Sequence, residues 1–238
     1  MRARPSVTQH PLNLLMVSSE AVPYAKTGGL ADVAGALPLE LAKLGHDVIL
    51  LLPRYRCLSE SGRSFHPVCR LQVITSQGLV DTLIEENVLP VGEGDCRVRV
   101  WTIRNEAFFD RPRLYQDRGI DYPDNLDRFS FFCRATIEVI AYLRTACRWK
   151  TDILHLHDWQ TALCAVYLKT VDRDRPEVRR ENLRHVQPPP HQRRIRGHRY
   201  RAGHLSASRG THGWHHLGRI RSRAGIDLPL DRPLVSLR

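Results

Sequence analysis

The sequence has no apolar run of 18 residues, no pair of cysteines at CxxC spacing, and neither a G-x-G-x-x-G motif nor a Walker A loop. The first absence argues against a membrane-spanning helix, which needs about 20 consecutive apolar residues. The six cysteines are scattered along the chain, and this favours free thiols in a reducing compartment. Without the two glycine-rich motifs, a nicotinamide-dependent or ATPase function has no signature here.

The positive charge of the chain is concentrated at one end. A net charge of +11 raises the question of nucleic-acid binding. From Arg184 to Arg238, however, there are 12 Arg, no Lys and two acidic residues, whereas the rest of the chain is almost neutral. This segment offers only Tyr200 and Trp214 for base stacking and matches no known nucleic-acid-binding fold. Nucleic-acid binding is therefore not favoured as the main function.

The first 55 residues have the pattern of a βαβ unit. An apolar run over 12–18 predicts a buried parallel strand, and a glycine-containing loop follows it. Apolar residues then recur at helical spacing over 30–44, where Pro38 is expected to kink or interrupt the helix. A second apolar run over 48–52 predicts the next strand.

The remaining elements extend this pattern to about residue 186. Strands are predicted at 71–75, 82–89, 97–103 and 153–155, with a turn at 92–95 and helices at 125–145 and 161–169. The segment 105–124 is predicted as a long loop, and loops of this length are often functional. The composition after residue 186 is rich in Arg, Pro, His and Gly without any period, so disorder is expected there.

The segment Lys26-Thr27-Gly28-Gly29 lies between the first predicted strand and the first predicted helix. Adjacent glycines let the backbone approach a ligand closely. The unpaired N–H groups at a helix N-terminus favour a phosphate, and Lys26 adds a positive charge. An ordinary strand-to-helix turn with a solvated lysine is the alternative that these residues leave open.

Three segments resemble bacterial glycogen synthases and plant starch synthases. They are 18–55, which opens SSEAVPYAKTGGLADV, then 108–135, and 153–169, which reads ILHLHDWQTALCAVYLK. The resemblance implies two Rossmann-like domains in the GT-B architecture, with the active site between them. It implies transfer of glucose from ADP-glucose, or UDP-glucose in some members, to the non-reducing end of an α-1,4-glucan with retention, without a metal or cofactor. A cytoplasmic location is implied, or a plastid in plants.

The resemblance also implies roles for five residues. Lys26 matches a lysine of the nucleotide-sugar site, and Gly28 and Gly29 would shape the loop beside the phosphates. Tyr115 matches a tyrosine near the sugar and acceptor, and Asp158 matches an acidic residue that lines the cleft; we assign both as catalytic. The alternatives are that Tyr115 packs its loop and that Asp158 caps the following helix.

No metal site is predicted. His155 and His157 are expected to point to opposite faces of their strand, which would keep them from sharing a metal ion. His157 and Trp159 are expected to shape the site and not to act in the chemistry.

The resemblance ends near residue 186. The next strand of the family reads approximately Phe-Thr-x-His-Asn, whereas this chain has Gln187 and three prolines, which a central strand does not accommodate. We therefore expect an N-terminal extension (1–11), an α/β Rossmann-like domain with a mostly parallel sheet (12–186) and a basic tail (187–238), with the C-terminal domain absent. The tail is explained either by a frameshift near codon 186 or by a genuine fusion that binds polyanions or nucleic acid. On this basis the chain would be truncated, inactive and marginally stable, with an unpaired sheet edge.

Overall fold

The computed structural model describes residues 10–76, 78–92 and 96–178. The strands are β1 (Asn13–Val17), β2 (Asp47–Pro53), β3 (His66–Thr75), β4 (Gly78–Pro90), β5 (Arg97–Arg104), β6 (Gln116–Asp117), β7 (Ile120–Asp121) and β8 (Ile153–Leu156). The helices are α1 (Gly29–Lys43), α2 (Arg56–Glu60), α3 (Glu106–Phe109), α4 (Asn125–Thr145) and α5 (Ala162–Lys169), and a 3-10 turn over Trp159–Thr161 precedes α5.

Six strands form one mixed sheet in the order β3-β4-β5-β2-β1-β8. The strands β5, β2, β1 and β8 are parallel to one another, and β3 and β4 add an antiparallel extension beside β5. Helix α1 forms the crossover between β1 and β2, and α4 lies in the connection between β5 and β8. The expected α/β fold with a mostly parallel sheet is confirmed.

The core lies around the parallel strands. Every residue of β2 after Asp47 is buried, and so is every residue of β1 after Asn13. Strands that helices cover on both faces need such continuous apolar runs. The long helix α4 contributes Phe131 and Phe132, which are almost completely buried. Strand β1 lies between β2 and β8, so the residues that follow it continue directly from the buried sheet.

Several sequence expectations differ from the structure in detail. Pro38 does not interrupt α1, which runs unbroken through it. The segment 105–124 contains α3 and the β6–β7 hairpin, so it is more regular than a loop. Asp124 lies at the N-cap position of α4 without capping it, because its carboxylate accepts a hydrogen bond from Arg111 instead.

Some expectations lie wholly or partly outside the described residues. These are the turn at 92–95, most of the N-terminal extension (1–11) and the basic tail (187–238). Within the described part of the chain, β8 is an edge strand that pairs with β1. None of the helices there is long and apolar enough to cross a bilayer.

Candidate active site

The candidate site lies where the adjacent parallel strands β1 and β8 end. The two strands are in register from Leu14 and Ile153 to Val17 and Leu156, and the N–H of His157 continues the pairing to the carbonyl of Val17 at 3.0 Å. The segment that leads to Lys26 begins at the carboxyl end of β1, and Asp158 follows the carboxyl end of β8 at the same edge of the sheet. Ligands of open α/β sheets bind at the carboxyl ends of such strands.

A buried carboxylate, Glu20, organises this edge, and the sequence analysis did not single it out. Its side chain accepts hydrogen bonds from the backbone N–H groups of Thr27 and Gly28 and from the hydroxyl of Thr27 at 2.9 Å. It also accepts a hydrogen bond from the hydroxyl of Tyr115 at 3.0 Å. Glu20 therefore joins the glycine loop to the segment that carries Tyr115.

This arrangement changes the expected phosphate site. The N–H groups of Thr27 and Gly28 already bind Glu20, so they are not available to a ligand. The donors that a helix N-terminus offers to an anion are then those of the first turn of α1, from Gly29 onward.

The two adjacent glycines are not required by the protein itself. A Cβ atom at Gly28 or Gly29 would meet no protein atom within 4 Å, and neither residue has a positive φ. The space beside their α-carbons is therefore open to a ligand. By contrast, Gly35 in α1 is required, because a Cβ there would lie 2.5 Å from the carbonyl oxygen of Val22.

Lys26 lies beside this loop in an ion pair with Asp32. The Nζ atom is 2.6 Å from Oδ1 of Asp32, and about half of each side chain is exposed to solvent. Exposed pairs of this kind contribute little to stability and are screened by salt. The ammonium group can therefore exchange Asp32 for an anionic ligand at small cost.

The hydroxyl of Tyr115 is held between two side chains that follow β1. It lies 2.7 Å from Oγ of Ser19 and donates to Glu20. Burial raises the pKa of Tyr115 well above its ordinary value, and the charges of Glu20 and Asp158 raise it further. Tyr115 is therefore a neutral hydroxyl at any physiological pH.

The fully buried Arg128 holds the backbone around Tyr115 in place through hydrogen bonds. Its guanidinium donates to the carbonyls of Phe108 at 2.6 Å and Leu114 at 2.9 Å, and to Oδ1 of Asn125 at 2.6 Å. Asn125 in turn donates to the carbonyl of Tyr115 at 2.8 Å. The position of Tyr115 is thus set by α4 as well as by Glu20.

Asp158 has a backbone conformation that is rare for a residue with a side chain. Its φ is 61°, in the region that favours glycine, and such residues are concentrated at functional sites. Its Oδ1 accepts a hydrogen bond from the N–H of Trp159 at 2.7 Å, so Asp158 caps the 3-10 turn over Trp159–Thr161, whereas Thr161 lies at the N-cap of α5. The indole of Trp159 is 54% exposed and contacts the Phe129 ring edge-on, with the ring centroids 5.2 Å apart.

The expectation that His155 and His157 point to opposite faces of the strand was wrong. Their rings stack, with the centroids 4.3 Å apart, because residues two apart on a strand share a face. Burial lowers the pKa of both, and for His157 the nearby His155 helps to lower it to about 4. The two are therefore neutral at pH 7. In the part of the chain that the structure describes, no three His, Cys, Asp or Glu side chains form a group that could hold a metal ion.

A second cleft of about 230 Å³ lies at the ends of β2 and β5. It is lined by Arg54, Arg56, Ser59, Arg104, Glu106 and Asp110. Each arginine in it is paired with a carboxylate, at 2.6–3.2 Å. The charges cancel within this cleft, so it offers no free cation to an anionic ligand.

A known protein family, several sequenced proteins and a solved structure are similar to this chain. The family model described as the starch synthase catalytic domain matches residues 13–185. The chain belongs to the starch synthase catalytic domain family. This confirms the resemblance that the three sequence segments indicated.

Individual proteins that are similar to this starch synthase family domain are glycogen synthases. The chain is 39% identical over 160 residues to a glycogen synthase of Syntrophotalea carbinolica, covering 67% of this chain and 31% of that protein. It is 41% identical over 164 residues to a glycogen synthase of Elusimicrobium minutum, with the same coverage. The chain thus spans about a third of the length of these relatives.

A solved structure is similar to the starch synthase family domain as well. It is the catalytic domain of starch synthase IV from Arabidopsis thaliana, bound to ADP and acarbose. The similarity has a TM-score of 0.59 and 28% sequence identity, and it covers 74% of this chain and 33% of that one.

Sequence reasoning missed Glu20 and Arg128 in this starch synthase family domain. Glu20 lies in the first resembling segment and Arg128 in the second, but no local pattern marks a charged residue as buried. Their roles depend on partners such as Tyr115, which is 95 residues from Glu20.

Proposed function

We propose that this chain forms the N-terminal half of a glycogen or starch synthase active site, which binds a nucleotide sugar and the end of an α-1,4-glucan. The observation that carries the proposal is the cluster at the ends of β1 and β8. There, Glu20 joins an open glycine loop to Tyr115, and Asp158 has a positive φ. A fold by itself does not specify a function; this cluster gives the proposal its residues.

The donor half of the site would consist of Lys26, Gly28, Gly29 and the first turn of α1. The diphosphate of ADP-glucose, or of UDP-glucose, would bind the N–H groups from Gly29 onward and the ammonium of Lys26. Open space at the two glycines supports this role. The similar starch synthase IV structure holds ADP, which is consistent with a nucleotide-sugar donor.

The sugar and acceptor half would consist of Tyr115, Asp158 and Trp159. The neutral hydroxyl of Tyr115 and the free oxygen of Asp158 would bind sugar hydroxyls, and the exposed indole of Trp159 would stack on a glucose ring. Retaining transfer breaks the bond from C1 of glucose to the diphosphate and the O4–H bond of the acceptor. A bond from C1 to O4 forms, and the proton passes to the leaving diphosphate. Fixed charges and dipoles around the leaving diphosphate would lower the barrier to this step.

Calorimetric titration of the chain with ADP-glucose and with UDP-glucose tests the donor half. Lys26→Ala is expected to weaken binding of the nucleotide sugar about tenfold, because it removes a charged hydrogen-bond donor to the diphosphate. Lys43→Ala is the matched control. Lys43 is equally exposed and also pairs with a carboxylate at 2.6 Å, but it lies at the other end of α1.

Two results would contradict the proposal. One is no measurable binding of either nucleotide sugar to the wild-type chain. The other is an equal loss of affinity in the Lys26 and Lys43 variants, which would indicate a general effect of charge.

A further inference from the structure

Glu20 is a buried carboxylate without a cationic partner. Its residue is 3% exposed, and no Lys or Arg among the described residues forms an ion pair with it. The nearest basic residue in the sequence, Lys26, pairs with Asp32 instead. A buried charge normally needs such a partner, because its transfer out of water is costly.

Neutral donors replace the missing cation. Two backbone N–H groups and the hydroxyls of Thr27 and Tyr115 donate to Glu20. The positive end of the α1 dipole begins at the same loop and favours a negative charge there. Glu20 is therefore stabilised only as long as the loop and Tyr115 keep their present positions.

The donors belong to segments that are far apart in the sequence. Thr27 and Gly28 follow Glu20 by seven and eight residues, whereas Tyr115 follows it by 95. Among the described residues, the Glu20 carboxylate is the one group that hydrogen-bonds both the glycine loop and Tyr115. It therefore sets the distance between the proposed phosphate-binding loop and the proposed sugar-binding hydroxyl.

We propose that Glu20 is a positioning residue, which holds the glycine loop and Tyr115 in the relative arrangement that binds the nucleotide sugar. Glu20 acts through these two partners, behind the loop, without touching the ligand. Because it occupies the N–H groups of Thr27 and Gly28, it also directs the diphosphate to Gly29 and the next residues of α1. This inference rests on the proposed function.

Glu20→Gln in the full chain tests the inference, with Glu85→Gln as the matched control. Glu85 is also a buried glutamate, at 5% exposure, but it is paired with Arg54 and Arg104 in the antiparallel part of the sheet. Two quantities are measured: the amide hydrogen exchange of Thr27 and Gly28 without ligand, and the dissociation constant of ADP-glucose.

Glu20→Gln is expected to speed exchange at the two amides at least about tenfold, because each loses the negative charge of its acceptor, and hydrogen bonds to charged groups are the stronger ones. We expect the affinity for ADP-glucose to fall by a similar factor. Glu85→Gln is expected to leave both quantities unchanged. If Glu20→Gln does not fold, Thr27→Val removes the hydroxyl contact alone and is expected to give a smaller change of the same kind.

A double-mutant cycle separates positioning from a general loss of stability. If Glu20 acts through Tyr115, the losses of affinity in Glu20→Gln and Tyr115→Phe will not add in the double variant. Additive losses, or wild-type exchange at Thr27 and Gly28 in Glu20→Gln, would overturn the inference. If the wild-type chain binds no nucleotide sugar, the proposed function fails, while the exchange measurement still decides whether Glu20 holds the loop.

Discussion

Two buried glutamates, one in the antiparallel part of the sheet and one at the end of the parallel part, differ in the groups that bind them. Arginines bind the first, and neutral donors bind the second. In the antiparallel part, Glu85 lies between Arg54 and Arg104, so the charges cancel within the protein. At the end of β1 in the parallel part, Glu20 is bound by N–H and hydroxyl groups and has no cationic partner among the described residues. The first arrangement joins strands that already pair, whereas the second orders two loops at the edge where a ligand would bind.

The same contrast holds for arginine. Arg128 beneath Tyr115 is fully buried; its Nε and Nη1 atoms donate to neutral oxygens, and its Nη2 atom has no hydrogen-bond partner among the described residues. Aromatic rings of Phe109, Tyr122 and Phe129 surround its guanidinium at 5.1–5.8 Å. Burial lowers the pKa of Arg128 from its ordinary value. Both unpaired charges of the parallel part thus contact the segment that carries Tyr115.

The largest effect is expected for Arg128→Met. This variant leaves the carbonyl oxygens of Phe108 and Leu114 buried without a donor, and we expect the free energy of unfolding to fall by about 3–5 kcal/mol. Urea denaturation followed by circular dichroism measures it. Arg104→Met, at the end of β5 and beside the antiparallel strand β4, is the control; its side chain is 45% exposed, so the loss there should stay below about 1 kcal/mol. Equal losses in the two variants would remove the distinction between the two parts of the sheet.

A smaller loss is expected for Gly35→Ala. In an open helix position, this change would stabilise the protein by about 0.5–1 kcal/mol. Here the new methyl group would lie 2.4 Å from Cγ2 of Val22 and 2.5 Å from its carbonyl oxygen. The clash should outweigh the helix propensity and reduce the free energy of unfolding by about 1–3 kcal/mol, measured by the same denaturation.

Gly29→Ala is the matched variant for Gly35→Ala, because it lies in the same helix with no protein atom within 4 Å of the new Cβ. The unfolding free energy of this variant should equal or slightly exceed the wild-type value. Destabilisation by Gly29→Ala as large as that by Gly35→Ala would show that the protein itself occupies the space assigned to a ligand.

A pH-dependent effect is expected from His157, which directly follows β8. Its pKa in the folded protein is about 4, below the ordinary value near 6.5. The unfolded chain therefore binds the proton more readily, and stability is fully present above about pH 6.5 and declines as the pH falls towards 4. The slope from this one group is at most about 1.4 kcal/mol per pH unit.

Unfolding midpoints measured between pH 7 and 4.5 test this slope. The variant His157→Leu should lose that part of the pH dependence, whereas His66→Leu, at an exposed position of β3, should keep it. The same slope in the wild type and in His157→Leu would show that His157 does not titrate as described.

Local pattern was enough to predict the elements but not their partners. The helix expected over 125–145 coincides with α4. Neighbouring residues alone specify both its apolar spacing and its ends. The α3 and β6–β7 elements inside the expected loop were missed although their contacts are local: Asn105 caps α3, and Gln116 pairs with Asp121. The argument about His155 and His157 was wrong for a different reason. It placed residues two apart on a strand on opposite faces, whereas such residues share a face.

The sequence by itself determined the family, the order of the main strands and helices, and the residues Lys26, Gly28, Gly29, Tyr115 and Asp158 as candidates. Short apolar runs and motif spacing carry that information without reference to the rest of the chain. Only the tertiary structure decided that Glu20 occupies the N–H groups first assigned to a phosphate, and that Arg128 and Glu20 together hold Tyr115. The physical reason is that a buried charge is defined by the donors and acceptors that surround it, and these come from segments that meet only in the folded chain.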